Sequence, residues 1–364
     1  MSEFDLGNEA IERLEWSDSK QSETPHSKAR SVTRRAALGG GAGALAAFML
    51  SPAGQAFAAS GSSIFGTSKK YHFVFVNHVT TNPFFTPTQY GIADACSLLG
   101  IPTAQWTGSA SSSVPQMVTA FNSAIASGAD GIACAMIDPA AFTPPTTHAL
   151  AKGIPVVAYN ADEPNGRLAY IGQDLFVSGQ QMGEHIKKLV PSGNVALFIA
   201  TPGSANIQPR IDGAKAALKG SSTKYTVQAT GAAVPAELTA IEAFWAGHTT
   251  YKGLFAVDAG STQSLLQTIQ KNNLKGKVKG GGYDLTPITE KLLAAGYGQF
   301  TIDQQPYLQG FLPIIEMFLY KASKGLSGIA DIDTGLKFLT PSTIVPYSST
   351  TSRYEGTGTA PGVH

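Results

Sequence analysis

The stretch YHFVFVNHVTTNPFFTPTQYG, residues 71–91, decides how the chain is to be read. Its first six residues are aromatic and β-branched, as a buried strand requires. A polar loop follows, carrying Asn82 and two adjacent phenylalanines, Phe84 and Phe85, with Pro83 restricting Asn82 to extended geometry. Beyond the loop Ile92, Cys96 and Leu99 recur at helical spacing. Strand, loop and helix in that order make the first unit of an α/β fold, with the loop at the carboxyl end of the strand.

The same alternation continues along the chain. GIPTAQW (100–106) precedes a helical pattern through Met117, Val118, Phe121 and Ile125, and GIACAMI (131–137) and GIPVVAY (153–159) complete a first set of strands. A second set begins at Val195 with VALFIA and continues through YTVQAT, GLFAV and VKGGGYD, with helices expected to start near Arg210, Ala236, Thr262 and Thr286. Strands that read as continuous apolar runs between helices imply parallel sheets covered on both faces. Two such series predict two doubly wound parallel-sheet lobes, each turning its ligand-facing loops toward the carboxyl ends of its strands.

Length and composition agree with two lobes. The 364 residues are 43% hydrophobic, enough for two cores of ordinary domain size. Only 14% are charged and the formal net charge is +1, so no electrostatic grip on nucleic acid or an anionic membrane is expected. The first 59 residues read as an export signal: twin arginines Arg34 and Arg35, an apolar run rich in small residues, and an Ala-x-Ala site at 56–58. The run is about fifteen residues, short of the ~20 that span a bilayer. Six of the 26 Lys/Arg and seven of the 25 Asp/Glu fall within those 59 residues, so the exported product has a net charge of about +2. It is expected to be soluble, periplasmic or extracytoplasmic, without membrane insertion after cleavage. Export permits a disulfide, but Cys96 on a helix face and Cys134 in a core strand favour two buried free thiols.

The strand ends carry an unusual density of amides and acids. Asn160 and Asp162 close one strand, Asp258 a second, Asp284 a third, and Asp303, Gln304 and Gln305 a fourth. A single Asp after a strand is most often a helix N-cap. Recurrence in both lobes points to carboxylates and amides converging on one cleft, where they accept from vicinal hydroxyls. Phe84 and Phe85 offer ring faces to the C–H face of a sugar, or alternatively staple the helix entrance into the core.

From about residue 70 to 340 the chain resembles the type I periplasmic sugar-binding proteins of ABC transporters, the ribose/galactose/xylose group with a lac-repressor-like sensor fold. The resemblance rests on NPFF after the first strand, GADGI, GIPVVAYN, YIGQDLFVSGQQMGEHI, PRIDGAKAAL, GLFAVDAGSTQSLLQTI, GGGYDLTP and TIDQQPYLQG, in that order and spacing. It implies two lobes joined by three crossing segments, near Asp174, Gln304 and Gly335. An N-terminal lobe would comprise residues 60–174 with 305–335, a C-terminal lobe 175–304 with 336–350, and a loose tail 351–364. It also implies sugar contacts from Asn82, Phe84 and Phe85 in the first loop, and from Arg210 with Gln208 and Asn206 beside it. Asp284 and Gln304 match the family's aspartate and glutamine, and Asp258 stands where an asparagine is common. Trp106 and Tyr159 would add an aromatic wall or belong to the core. Where the ribose-binding type has an aspartate and then an arginine, this chain has Asn160 and Ala161, which removes a bidentate clamp and argues against ribose itself.

The function implied is binding by hinge closure, without cofactor or metal, with a monosaccharide or sugar alcohol delivered to an ABC permease by a monomer. A sensor-type binding protein for a furanosyl signal or nucleoside is the alternative on the same fold. A carbohydrate-active enzyme built on Asp258 and Asp284 is a further one. Against catalysis, the sequence has no HExxH, CxxC or GxSxG, and its GxGxxA match at Gly39, Gly41 and Ala44 lies in the export signal. A transcriptional regulator needs a basic helix-turn-helix where this chain has a secretion signal.

Overall fold

The computed structural model describes residues 67, 69–138, 140–356 and 358–360, and the export signal expected over 1–59 lies outside them. Two six-stranded sheets organise these residues. The first contains β1 (Phe73–Asn77), β2 (Gln105–Gly108), β3 (Gly131–Cys134), β4 (Val156–Tyr159), β5 (Ala169–Gly172) and β11 (Ile332–Asp333), in the order β11-β5-β4-β3-β1-β2. The second contains β6 (Gly193–Ile199), β7 (Thr223–Ala229), β8 (Gly253–Ala256), β9 (Lys279–Tyr283), β10 (Phe300–Asp303) and β12 (Lys337–Leu339), in the order β12-β10-β9-β8-β6-β7. All pairings are parallel except that of β12 with β10. In each sheet the winding reverses at the first strand of the lobe, β1 or β6, and a ligand crevice opens at such a switch point.

Strands β1, β3, β4, β8 and β10 are buried along their whole length, because helices cover both faces of each sheet. Edge strand β7 (TKYTVQA) is mostly exposed, and its lysine and threonines suit an edge. The first lobe is clothed by α1 (Thr86–Leu99), α2 (Val114–Ala126), α3 (Thr143–Ala151) and α9 (Pro306–Ala322). The second carries α4 (Leu175–Leu189), α5 (Gln208–Leu218), α6 (Val234–Gly247), α7 (Ala259–Lys271) and α8 (Pro287–Ala294), with the short α10 (Val345–Ser349) beside α8.

Several expected boundaries move for local reasons. The GIP triplets expected to open two strands instead lie outside them. Gly100 and Gly153 adopt left-handed backbone (φ 63° and 72°), and Ile101 and Ile154 return amide bonds to the helices just ended. The strands therefore start only at Gln105 and Val156. Short strands β5, β11 and β12 were not anticipated.

The chain passes between the sheets three times, at residues 173–174, 304–305 and 334–336, and glutamines stitch these crossings together. Gln173 Nε2 donates to Gly335 O (3.0 Å), Gln305 Nε2 to Thr334 O (2.6 Å), and Gln309 Nε2 to Gln304 O (3.1 Å). The lobes also touch away from the crossings: Ala205 N donates to Ile137 O at 3.0 Å, and Asn206 Nδ2 lies 3.3 Å from His78 Nε2. These contacts describe a closed arrangement.

Each lobe contains one helix pair in backbone contact through glycines. A Cβ on Gly91 of α1 would strike the carbonyl of Tyr307, and one on Gly310 of α9 the carbonyl of Thr88. In the second lobe a Cβ on Gly179 of α4 would strike Arg210 O, and one on Gly213 of α5 would strike Phe176 O. Residues 351–356, expected to be loose, instead pack on the first pair. Arg353 Nη1 pairs with Asp94 at 3.1 Å, its guanidinium lies 4.7 Å over Tyr90, and the Tyr354 and Tyr307 rings meet at 4.8 Å. The tail is low in apolar residues but anchors through the Arg353 guanidinium and the Tyr354 ring.

Gly310→Ala tests the close approach. Alanine is the better helix former by about 1 kcal/mol, yet its methyl group must displace backbone, so a net loss of roughly 1–3 kcal/mol in urea unfolding is expected. Unchanged or increased stability would show that the two helices have room to separate.

Candidate binding site between the lobes

The loop after β1 forms one wall of the cleft. Asn82 caps the short 3-10 turn Pro83–Phe85, its Oδ1 accepting from Phe84 N at 3.0 Å, and so sets the two rings in place. Phe84 and Phe85 stand edge to face, 4.7 Å between centroids at 78°, and both are buried. Behind them Trp106 lies 5.9 Å from Phe85 and donates from Nε1 to Thr80 O. His78, the residue after β1, meets Phe85 edge-on at 5.3 Å.

The opposite wall comes from the second lobe and is charged. Arg210, on the first turn of α5, is 2% exposed. Its guanidinium lies 4.1 Å over the Tyr283 ring, Nη1 donates to Val257 O (2.9 Å) and Nη2 to Gln173 Oε1 (3.2 Å). Asp258 caps α7, accepting from Ser261 N (2.8 Å) with one oxygen and from Ala200 N (2.9 Å) with the other. Asp284 leaves β9 in left-handed backbone (φ 71°) and accepts from Gln304 Nε2 at 2.7 Å. Asn160, at φ 62° after β4, reaches the crossing segment, its Nδ2 lying 3.4 Å from Gln304 Oε1 and 3.2 Å from Gln309 Oε1. Asn and Asp tolerate that conformation better than most residues.

Between the walls lies a small cavity. Asn82, Phe84, Phe85, Asn160, Asn206, Arg210, Asp258, Asp284 and Gln304 line it, together with His78, Ile207 and Ala259, which the sequence did not single out. Two expected residues do not line it. Trp106 is occupied behind Phe85, and Gln208 is held by its own loop, accepting from Gly203 N (2.9 Å) and donating to Asp212 (3.0 Å). Asp162 pairs with Arg167 instead of facing the cleft, and Tyr159 accepts from Asn77 Nδ2 within the core. His78 gave no signal because a lone histidine matches no metal or catalytic spacing. Glu237, buried beside this site on the first turn of α6, looks in sequence like any helix-start acid.

Three buried atoms of lining side chains have no hydrogen-bond partner: Arg210 Nε, Asn160 Oδ1 and His78 Nδ1. Buried polar atoms ordinarily have a partner, so this lining holds unmet hydrogen-bonding capacity, both donor and acceptor. Burial lifts the Asp284 carboxyl from its ordinary 3.8 to about 7, with Arg210 and Gln304 pulling the other way. It raises Asp258 as well, against the two amides that hold it, and raises Glu237, with the Asp258 charge adding to the effect. His78 is lowered by burial to about 4 and stays neutral at pH 7. Rings on one side, with a guanidinium, carboxyls and amides on the other, suit a flat polyhydroxylated molecule with little net charge. Among the described residues no group of His, Cys, Asp and Glu is set to hold a metal, both cysteines are free and buried, and no helix is long and apolar enough to cross a membrane.

A family model described as periplasmic binding protein domain matches residues 73–324. The chain is 53% identical over 304 residues to the xylose/arabinose-binding protein XylF of Sulfolobus acidocaldarius, covering 79% of this chain and 75% of that protein. Among solved structures, an ABC transporter solute-binding protein from Burkholderia graminis in complex with D-arabinose aligns with a TM-score of 0.73 and 26% identity, over 78% of this chain and 99% of that one. A carbohydrate transporter from Acidothermus cellulolyticus in complex with myo-inositol shares the fold at a TM-score of 0.69 and 24% identity, over 77% and 98% of the two chains.

The raised Asp284 predicts a pH dependence of stability. The folded state holds this proton more tightly than the unfolded state, so the stabilisation is complete below about 3.8 and is lost as pH rises through about 7. Between pH 6.5 and 8.5, above the titration of His78, the empty protein should lose roughly 1 kcal/mol from this group, or about 2–4 °C in Tm. Differential scanning calorimetry of Asp284→Asn should show a visibly shallower slope. An identical slope in the variant would place the titration elsewhere.

Proposed function

Because the chain belongs to the periplasmic binding protein family, we propose that it captures a neutral aldopentose of the xylose or arabinose type in the cleft between its lobes and hands it to an ABC permease. The family and its relatives are sugar-binding, solute-binding proteins and not enzymes. The observation that carries the choice of guest class is the facing of Phe84 and Phe85 from one lobe with Arg210 and Asp284 from the other. The pentose follows from the relative at 53% identity, named for xylose and arabinose.

In this reading the ring stands against the phenyl pair, Arg210 Nε donates to a ring or hydroxyl oxygen, and Asp284, ionised on binding, accepts from hydroxyls. Asn160 Oδ1 and His78 Nδ1 complete the set. Since the polar groups come from both lobes, the guest binds the closed form better than an open one, and that difference drives closure. Asn160 followed by Ala161 in place of an acid and an arginine favours a pentose other than ribose. A phosphorylated sugar would find only Arg210 as a buried cation and two acids beside it.

The mature chain acts as a monomer after export by the twin-arginine route. Replacing Arg34 and Arg35 together by lysine should leave a precursor inside an expressing cell that uses this route. Unimpaired export of the double variant would assign the signal to another pathway.

The experiment that tests the ligand is thermal shift on residues 60–364 against D-xylose, D- and L-arabinose, D-ribose, D-glucose, myo-inositol and pentitols, then calorimetry on each hit. A guest at a hundredfold excess over its Kd stabilises the native state by about 2.7 kcal/mol. Xylose or arabinose should give the largest rise, and Asp284→Asn should weaken that sugar by roughly 1.5–3 kcal/mol. A hexose or polyol leading the panel would overturn the pentose while keeping the binding role.

A further inference from the structure

Past β12 the chain fastens first to the second lobe and then to the first. Ile344 is buried against Leu293 of α8 and Leu339 of β12, the Lys337 ammonium donates to the Tyr347 hydroxyl and lies 4.6 Å over its ring, and Thr350 bonds back to Pro346 O at 2.6 Å. Three residues later Arg353 is seated on the first lobe. Its guanidinium joins Asp94 to the Tyr90 ring of α1, and Asp94 is held in turn by the Tyr307 hydroxyl of α9, which donates at 2.7 Å. The Tyr354 ring meets that of Tyr307 edge-on, and Gly356 lies against the start of α1, where a Cβ would come 3.1 Å from Pro87 Cδ. Glu355 faces back to the second lobe: burial lifts the Glu290 carboxyl of α8 to about 7, and the Glu355 charge adds to that.

Residues 350–356 therefore connect the lobes outside the three crossings, and the connection is short. The three steps from Thr350 to Arg353 extend to at most ~10 Å, so α10 and α1 separate further only if an anchor gives way. Both anchors adjoin the binding loops. Thr86 and Pro87 directly follow Phe84 and Phe85, and Leu285, packed with Tyr347 on the cluster around Ile344, directly follows Asp284. A hollow between the lobes has Pro87 and Tyr307 on one side, Leu285 and Tyr347 on the other, and Tyr354 and Glu355 in its lining. Parting the phenyl pair from Asp284, the movement that opens the site, pulls on this segment.

We propose that residues 350–356 are a strap that limits how far the lobes part, with Arg353 and Tyr354 as its positioning residues. The strap touches no guest. It raises the closed fraction of the empty protein, and apparent affinity rises with that fraction.

The test measures the empty protein, so its outcome does not depend on which sugar binds. Spin labels on Asn122→Cys of α2 and Ala243→Cys of α6, both exposed positions, report the distance between the lobes by pulsed electron spin resonance, the native Cys96 and Cys134 being buried. Three variants are compared with the parent: Arg353→Ala with Tyr354→Ala, Arg353→Lys with Tyr354→Phe, and an insertion between Thr350 and Thr351. The insertion, about eight glycine and serine residues, adds up to ~26 Å of reach and leaves both anchors in place. The alanine pair and the insertion should each give a longer mean distance and a broader distribution, and the Lys/Phe pair should restore the parent distribution. A parent-like distribution in the insertion variant overturns the strap and reduces the tail to local packing, whatever the alanine pair does to folding or Tm.

Discussion

A single buried cation holds the cleft together. Taking the Arg210 guanidinium out of water carries a penalty of several kcal/mol, which must be offset locally. The offsets come from different parts of the chain: the carbonyl after β8, the Tyr283 ring at the end of β9, and Gln173 on the first crossing segment. Asp284 and Asp258 supply opposite charge. Its placement relies in turn on Gly179, since any side chain there would push α4 off the Arg210 carbonyl. One residue thus ties the helix packing of the second lobe to the hinge and to the polar wall of the cavity. It also explains why two acids persist in so dry a place. Deleting the cation would leave them without counter-charge, the situation in which breaking a buried pair costs about 3–5 kcal/mol.

The fold was legible because parallel strands buried on both faces read as uninterrupted apolar runs, and VFV at β1 or ALFI at β6 cannot be mistaken for surface. The short strands β5, β11 and β12 were not, because half-buried Tyr170 interrupts the apolar run of β5, and two or three residues are too few for a period to show in β11 and β12. The same limit applied to the cleft. Asn82, Asp258, Asp284 and Gln304 sit in the segments that follow strands, at the carboxyl ends of the sheets, where topology brings them near one another. Gln208 is close to Arg210 in sequence but bonds within its own loop, and Trp106 stands one layer back. Their spacing gave no hint of which way they turn. Glu237 shows the converse: a glutamate early in a helix is ordinarily solvated, and only the missing side chain of Gly260, far along the sequence, makes room to bury it.

The two glycine-mediated helix contacts give the lobes similar internal stiffness. Backbones that touch through glycine cannot shear without losing close packing, so relative motion concentrates where the chain has freedom, in the three crossings. There the glutamine side chains bond mainly to backbone carbonyls of neighbouring crossings. Such contacts let the segments twist together and keep the lobes in register as they part.

Under the proposed delivery to a permease, the direct contacts across the cleft, Ala205 with Ile137 and Asn206 with His78, bear on how that partner would read this molecule. Every contact that closes the lobes without a guest raises the closed fraction of the empty protein, and apparent affinity improves in proportion to that fraction. The same fraction limits discrimination, because a transporter that recognises the closed shape can tell loaded from unloaded protein by no more than the reciprocal of the closed population. The strength of one backbone hydrogen bond at the lip of the cleft therefore trades scavenging at low solute against futile encounters at the membrane.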